Sequence, residues 1–309
     1  MSLEDQLLQF LLSGITVGSI YALIALGFVT IYNVTGIINF AQGEFAVYGA
    51  FIAITVFQES RLLSGNVVLD LGWSLPLAAL FGIGVTTLLG LALYRFGIQP
   101  ARNASTLSMI IITIGAALVM RGTALLIWGT DPFRLPVFTK GAPFKISGAI
   151  LTRQSVWVIT VTAVLLILLY LFFNYTLTGK ALRACSVNPG AARLMGINPQ
   201  RMALFAFGLS AAVTAVAGIV IVPSTFMTYD RGLTLSLKGF VAAAIGGMSS
   251  PVGAVAGGLL LGILEAFSAG LISSGYKDAI SFIVLFIVLA VRMGGLWRGR
   301  TVATEQAGL

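Results

Sequence analysis

Apolar residues run along this chain in long blocks that no charge interrupts: residues 6–43, 71–94, 103–120, 154–179, 202–229 and 239–264 contain no Asp, Glu, Lys or Arg. Within each block the apolar side chains are continuous rather than alternating every second residue, so the blocks read as helices and not as barrel strands. A helix crossing a bilayer needs about 20 apolar residues, and the first block is long enough for more than one. The pattern predicts an all-α, polytopic membrane helical bundle with helices near 7–31, 37–57, 73–96, 106–128, 155–176, 201–222, 237–248 with 252–272, and 277–297. That makes eight or nine transmembrane segments, depending on how a Gly/Pro-rich break near 246–253 is resolved.

Composition agrees about the solvent. Hydrophobic residues make up 58% of the chain and charged residues only 9%, against roughly 25% charged in a soluble domain. The whole of 1–309 reads as a single transmembrane domain. The start, MSLEDQ, has two acids and no basic residue, so it lacks the positive region of a cleaved signal peptide and the first span is expected to be retained. One Cys, Cys185, and no His argue against a disulfide and against zinc, haem or iron–sulfur sites. No metal, cofactor-binding or catalytic residue is therefore assigned, and a membrane-embedded enzyme, which would need a nucleophile–base pair or a metal, is the weakest class. The net charge of +8 comes without interleaved aromatic and basic residues, which gives no case for nucleic acid.

Between the fourth and fifth blocks lies GKALRACSVNPGAARLMGINPQR. Asn188 suits an N-cap and Pro189 the first helical position, where the missing N–H costs nothing. Ala191, Ala192, Leu194 and Met195 favour helix, and Gly196 supplies a left-handed stop. Asn198-Pro199 repeats the start signal at once. The segment predicts a surface helix near 188–196 wedged between two spans, which serves either as a docking handle or as a solvated connector. If 178–201 faces the cytoplasm, alternation puts Arg95, Arg102, Arg298 and Arg300 there too, with the acidic N-terminus outside. The loop 129–154 would then lie outside with Arg134, Lys140, Lys145 and Arg153, leaving the basic count nearly even.

Polar groups inside the apolar blocks are the other candidates. Asn39, Gln42, Gly43 and Ala46 fall at helical spacing and Glu44 follows, so one small, polar face looks at protein or water. An intramembrane carboxylate is a functional-site hypothesis by default, and interhelical glue is the competing role. Arg121 and Glu265 invite a pairing. Gly14-x-x-x-Gly18, Gly253-x-x-x-Gly257 and Gly258-x-x-x-Gly262 suit close helix contact, within one bundle or between subunits. The interruptions at Asn39–Gly49 and Gly246–Gly253 fall in the two halves of the chain, and such paired breaks point towards a substrate route. They make Asn39, Gln42, Glu44, Ser249 and Ser250 candidates for the translocation path.

The stretches GSIYALIALGFVTIYNVTGIINFAQGE (18–44), the 179–198 segment, GFVAAAIGGMSSPVGAVAGGLLLGILEA (239–266) and YKDAISFIVLFIVLAVR (276–292) resemble, in order, the LivH-type permeases of branched-chain amino acid ABC importers. The resemblance implies a conduit subunit in the bacterial cytoplasmic (inner) membrane, not an enzyme. It implies a LivM-like second permease, two ATP-binding subunits (LivG/LivF-like) and an external solute-binding protein. ATP would be bound by those partners, because this chain has no G-x-x-x-x-G-K-[ST] loop. Residues 179–201 then correspond to the cytoplasmic coupling loop, with Asn188, Ala191, Ala192, Arg193 and Gly196 contacting the ATPase. Gly190 stands where the general importer pattern has Glu, and Met293 where the family commonly has Pro. Similar permeases carry urea, short amides or aromatic acids, and a stand-alone channel or secondary transporter would use the same polar faces without the coupling helix.

Overall fold

In the computed structural model, residues 3–58, 60–62, 67–69, 71–102, 104–284, 286–288 and 290 are described. The chain is helical almost throughout. The helices are α1 (Leu3–Thr35), α2 (Gln42–Phe57), α3 (Leu75–Ala92), α4 (Thr106–Trp128), α5 (Arg153–Tyr175), α6 (Leu177–Val187), α7 (Pro189–Leu194), α8 (Pro199–Ile221), α9 (Arg231–Gly246) and α10 (Pro251–Leu271). Residues 277–284 add a further helical stretch. Two small antiparallel hairpins, β1 (Ser60–Leu62) with β2 (Val67–Leu69) and β3 (Phe144–Ile146) with β4 (Ala149–Leu151), lie in loops. The apolar blocks did not foretell them.

Among the described residues, six helices are long and apolar enough to cross a bilayer: α1, α3 with its π-helical continuation Leu93–Ile98, α4, α5, α8 and α10. Arg298, Arg300, the segment Arg292–Leu296 and the end of the helix expected at 277–297 lie outside the described residues. Burial divides the bundle into an inner and an outer set. The most apolar window of α1 is 83% buried and that of α8 67%, whereas those of α4 and α5 are each 17% buried. The outer helices therefore present apolar side chains such as Leu118, Leu126, Ile167 and Leu168 outward, as lipid contact requires.

The inner layer is built on small residues. A methyl group at Gly18 would lie 2.8 Å from the Leu259 Cα, and one at Gly262 only 2.3 Å from the Gly18 Cα. The two GxxxG faces of α1 and α10 thus meet each other within this chain, backbone against backbone. Around that seam Ile20, Leu23, Ile24 and Phe28 of α1 pack with Val213 of α8, Val241 of α9 and Leu261 of α10. A second cluster joins Phe51 and Ile54 of α2 to Trp128, Leu135 and Met227.

The break in the second half reverses the chain. Gly246 lies against Gly253, and Gly257 against Ala242, so residue number falls along α10 as it rises along α9. The two helices form an antiparallel hairpin rather than one kinked span. Gly247, at φ +88°, makes the left-handed turn, and the Ser250 hydroxyl then caps α10 by accepting from the Gly253 N–H at 3.0 Å. Pro251 follows at the first helical position, where its missing N–H leaves no unpaired carbonyl.

Candidate functional site

The first half of the chain brings polar groups together at the start of α2. Expected from about residue 37, α2 begins instead at Gln42, because Asn39 turns inward and its Oδ1 accepts from the Ala41 N–H at 3.2 Å. The Asn39 amide donates to Gln42 Oε1 at 3.4 Å, and Gln42 Nε2 donates to Thr214 Oγ1 of α8 at 2.5 Å. Ser210 Oγ lies 2.9 Å from both Gln42 Oε1 and the Gly27 carbonyl; with one proton it donates to only one of them at a time. Gly27 is the reason the amide fits, since a methyl group there would sit 2.1 Å from Gln42 Nε2. At the next residue the Gly43 N–H donates to Ser236 Oγ of α9 at 2.7 Å, and Ser236 in turn donates to the Phe40 carbonyl at 2.9 Å. Asn39, Gln42 and Glu44 are all fully buried, so they knit α1, α2, α8 and α9 together in this conformation.

Glu44 and Arg121 form an ion pair that links this node to α4. The Arg121 Nη2 donates to Glu44 Oε1 at 2.8 Å, with the Glu44 side chain 1% and the Arg121 side chain 21% exposed. The anticipated pairing of Arg121 with Glu265 does not form.

Glu265 belongs to a second network. Lys238 Nζ lies 3.0 Å from Glu265 Oε1 and 2.7 Å from Asp278 Oδ1, and donates to the Tyr21 hydroxyl at 3.2 Å. Tyr21 donates to Glu265 Oε2 at 2.7 Å, and Ser281 donates to Glu265 Oε1. Lys277 approaches the same carboxylate at 3.7 Å. This cluster ties α1, α9, α10 and the helical stretch from 277 together. Sequence reasoning missed Lys238, although its position between two charge-free blocks, 202–229 and 239–264, broken only at 230, 231 and 238, was the available signal.

Ser249 and Ser250 are not part of either network. Both are exposed in the turn between α9 and α10, where the Ser249 carbonyl accepts from Asn33 Nδ2 at 3.1 Å. Asn33 is six residues beyond Gly27 on α1, which places the turn about 9 Å along the helix axis from the Gln42 level.

The same end of the bundle carries the segment 177–198. α5 ends at Tyr175, and α6 turns away from it after Thr176, whose side chain caps the new helix by accepting from Gly179 at 3.0 Å. Gly179 is needed there because a methyl group would lie 2.2 Å from the Phe172 carbonyl. Asn188 caps α7 through Ala191 N–H at 3.0 Å, and Asn198 caps α8 through Gln200 and Arg201 at 3.0 and 3.3 Å. Gly196, at φ +80°, sits in open space and ends α7. Ala192 is buried against its own chain, whereas Ala191, Arg193 and Gly196 are exposed. Leu194 and Met195 are 89% and 81% exposed, so a rigidly capped helix presents two large apolar side chains outward.

Acidic residues mark one end of the bundle. The α7 end holds Arg95, Arg102, Lys180, Arg183, Arg193 and Arg201 with no acid among the described residues, while Glu4, Asp5, Asp131 and Asp230 lie towards the other together with Arg134, Lys140, Lys145, Arg153 and Arg231. Comparison with known proteins shows what this architecture belongs to. Residues 10–289 match the model of the branched-chain amino acid transport system permease component. The chain belongs to that family. It is similar to the high-affinity branched-chain amino acid transport system permease protein LivH of Escherichia coli strain K12, at 34% identity over 95% of this chain and 97% of the relative. BraD of Pseudomonas aeruginosa, a permease protein of the same description, is 33% identical over 94% of this chain and 95% of its own. The fructose import permease FrcC of Rhizobium meliloti is 26% identical over 75% of this chain and 66% of the relative.

Proposed function

We propose that this chain is the membrane-spanning permease of an ATP-driven importer for branched-chain amino acids in the bacterial cytoplasmic membrane. Its partners are a LivM-like second permease, two ATP-binding subunits and an external solute-binding protein. The observation that carries this reading is the capped elbow α6–α7–α8, a short rigid helix with Leu194 and Met195 turned outward, in a chain whose sequence holds no phosphate-binding loop. Work done by ATP elsewhere has to enter through a surface, and exposed apolar side chains on a stiff support suit that transfer.

In this reading α7 faces the cytoplasm, where the ATP-binding subunits stand, and the acidic start of α1 lies outside; basic residues stand at both ends of the bundle. With α2 and its lead-in counted as one crossing, α9 and α10 as one each, and the helix from 277 as the last, the chain crosses nine times. Asn188 and Gly196 set the start and stop of the coupling helix, Ala192 seats it on the permease, and Ala191, Arg193, Leu194 and Met195 face the ATPase. Asn39, Gln42 and Glu44 border the path at mid-membrane, and Ser249 and Ser250 stand at its cytoplasmic mouth. A push on α7 reaches α8 through Asn198-Pro199, and α8 carries Ser210 and Thr214, the partners of Gln42.

The test is co-expression with the two ATPases, second permease and binding protein, followed by reconstitution into proteoliposomes. Leucine should accumulate only with ATP and the binding protein, and Leu194→Asp with Met195→Asp should abolish co-purification of an ATPase while the permease still inserts. Retention of the ATPases by that variant at the unsubstituted yield would remove α7 as the coupling surface.

A further inference from the structure

The two buried charge clusters differ in one respect. Around Glu265 every charged oxygen has a partner: Tyr21 and Lys277 on Oε2, Lys238 and Ser281 on Oε1. Around Glu44 the bonding is incomplete on both sides. Glu44 Oε2 and Arg121 Nε are each buried with no hydrogen-bond partner, one a free acceptor on an anion and the other a free donor on a cation. Leaving such groups unmade inside a protein is expensive, and a saturated network was available to the same fold. The neighbouring Gly232 leaves Oε2 facing bare backbone, since a methyl group there would lie 2.2 Å from that oxygen.

The helix that supplies Arg121 is also an outer one, its most apolar window only 17% buried. Besides the ion pair, polar pins fasten α4 to the rest of the chain: Thr113 accepts from the Phe40 N–H, Tyr48 donates to the Met120 carbonyl and contacts the Thr123 hydroxyl, and Trp128 donates to Thr55. Gly115 and Gly122 on the same helix have open space beside them. Hydrogen bonds can be exchanged for others one at a time, which apolar interdigitation does not allow.

We propose that Glu44 and Arg121 form a transient binding station for an α-amino acid zwitterion, the solute's ammonium resting on the Glu44 carboxylate and its carboxylate on the Arg121 guanidinium. The assignment rests on the permease reading above and names the groups that meet the solute. A neutral ion pair opening around a neutral zwitterion keeps the net charge of the site at zero, so neither arrival nor departure leaves an isolated charge in low dielectric. On arrival the carboxylate takes up the free Arg121 donor and the ammonium the free Glu44 acceptor. On departure the two side chains close on each other again, which keeps the station weak enough for passage. The branched side chain plays no part in it, so the station reads the α-amino acid group and leaves side-chain choice to the binding protein.

The test uses the complete transporter in proteoliposomes with saturating leucine-loaded binding protein. Arg121→Gln and Glu44→Gln should each lower the maximal leucine uptake rate about tenfold or more, the loss expected of one charge-assisted hydrogen bond, while Arg121→Lys keeps most of it. The decisive variant is the exchange Glu44→Arg with Arg121→Glu. It restores an ion pair and should restore complex yield and melting temperature, yet transport should stay low because the polarity offered to the solute is reversed. Recovery of uptake by the exchange would show that the pair only holds α4 in place and would overturn the station, as would normal uptake by Arg121→Gln. If the exchange does not fold, Arg121→Gln against Arg121→Lys decides alone, because Arg121 is on the outer helix: equal uptake by the two overturns the station. Absence of ATP-driven leucine uptake by the unsubstituted complex would overturn the importer reading itself and this assignment with it.

Discussion

Replacing Lys238 by Met, close to it in length but uncharged, tests whether the Tyr21–Lys238–Glu265 cluster holds the inner bundle together. In the native chain the ammonium spends its three donors on Glu265, Asp278 and Tyr21 at 3.0, 2.7 and 3.2 Å. Without it Glu265, fully buried, keeps Tyr21 and Ser281 as neutral donors and only Lys277, at 3.7 Å, as a cation. Asp278 matters less, because its side chain is 63% exposed and water takes over. Removing one partner of a buried pair costs about 3–5 kcal/mol, mostly the desolvated charge left behind. That corresponds to a rise in the unfolded fraction of roughly a hundredfold or more. The double variant Lys238→Met with Glu265→Gln removes the stranded charge while leaving an amide that Tyr21 and Ser281 can still reach, and should recover at least about half of the loss. The assay is reversible unfolding of the purified permease by SDS in mixed micelles, run as a double-mutant cycle. Strict additivity of the two substitutions would refute the argument, since it would mean that Lys238 and Glu265 do not share their energy.

Gly262→Val should separate α1 from α10, because a methyl group already lies 2.3 Å from the Gly18 Cα and neither backbone can yield; a cost of about 1–3 kcal/mol should appear in the same unfolding assay, and wild-type stability would contradict the seam. Gln42→Leu removes the amide that meets Thr214 at 2.5 Å and Ser210 at 2.9 Å, and should lower the maximal uptake rate more than it alters the apparent affinity; an effect confined to apparent affinity would exclude Gln42 from the path. Cys185 on α6 is buried and burial pushes its thiol above the usual range, so a membrane-impermeant maleimide should react slowly at neutral pH, only from the cytoplasmic side, and faster as pH rises towards that raised value and the thiolate fraction grows. Rapid labelling from outside would reverse the assigned orientation.

The spans were legible because a bilayer enforces long charge-free blocks, and the blocks at 106–128 and 155–176 became α4 and α5 within two residues of their expected ends. Helix starts that depend on tertiary contact were not. α9 was expected from about 237 and begins at Arg231, because its first turns are stabilised by packing, with Gly232 on Glu44 and Ser236 on Gly43, and not by an apolar run. The caps at Asn188, Asn198 and Gly196 were readable since they are local chemistry. Partner choice was not readable at all. Arg121 and Glu265 each stood alone in an apolar block, and only the folded chain shows that Glu44 takes the first and Lys238 the second.

Spacing along a helix tells which residues share a face, but says nothing of what that face meets. The glycine motifs of α1 and α10 illustrate this, for the same spacing serves a seam between subunits as well as the seam found inside this chain. The polar faces carry the same ambiguity with a larger consequence. From sequence, Glu44 and Glu265 are equivalent intramembrane carboxylates, each a hypothesis for function. In the fold they separate: both oxygens of Glu265 already hold partners, while Glu44 keeps one unpartnered oxygen and Arg121 one unpartnered donor. Because buried polar groups are ordinarily satisfied, the incomplete pair, rather than the more conspicuous cluster, is where a passing solute has something to gain.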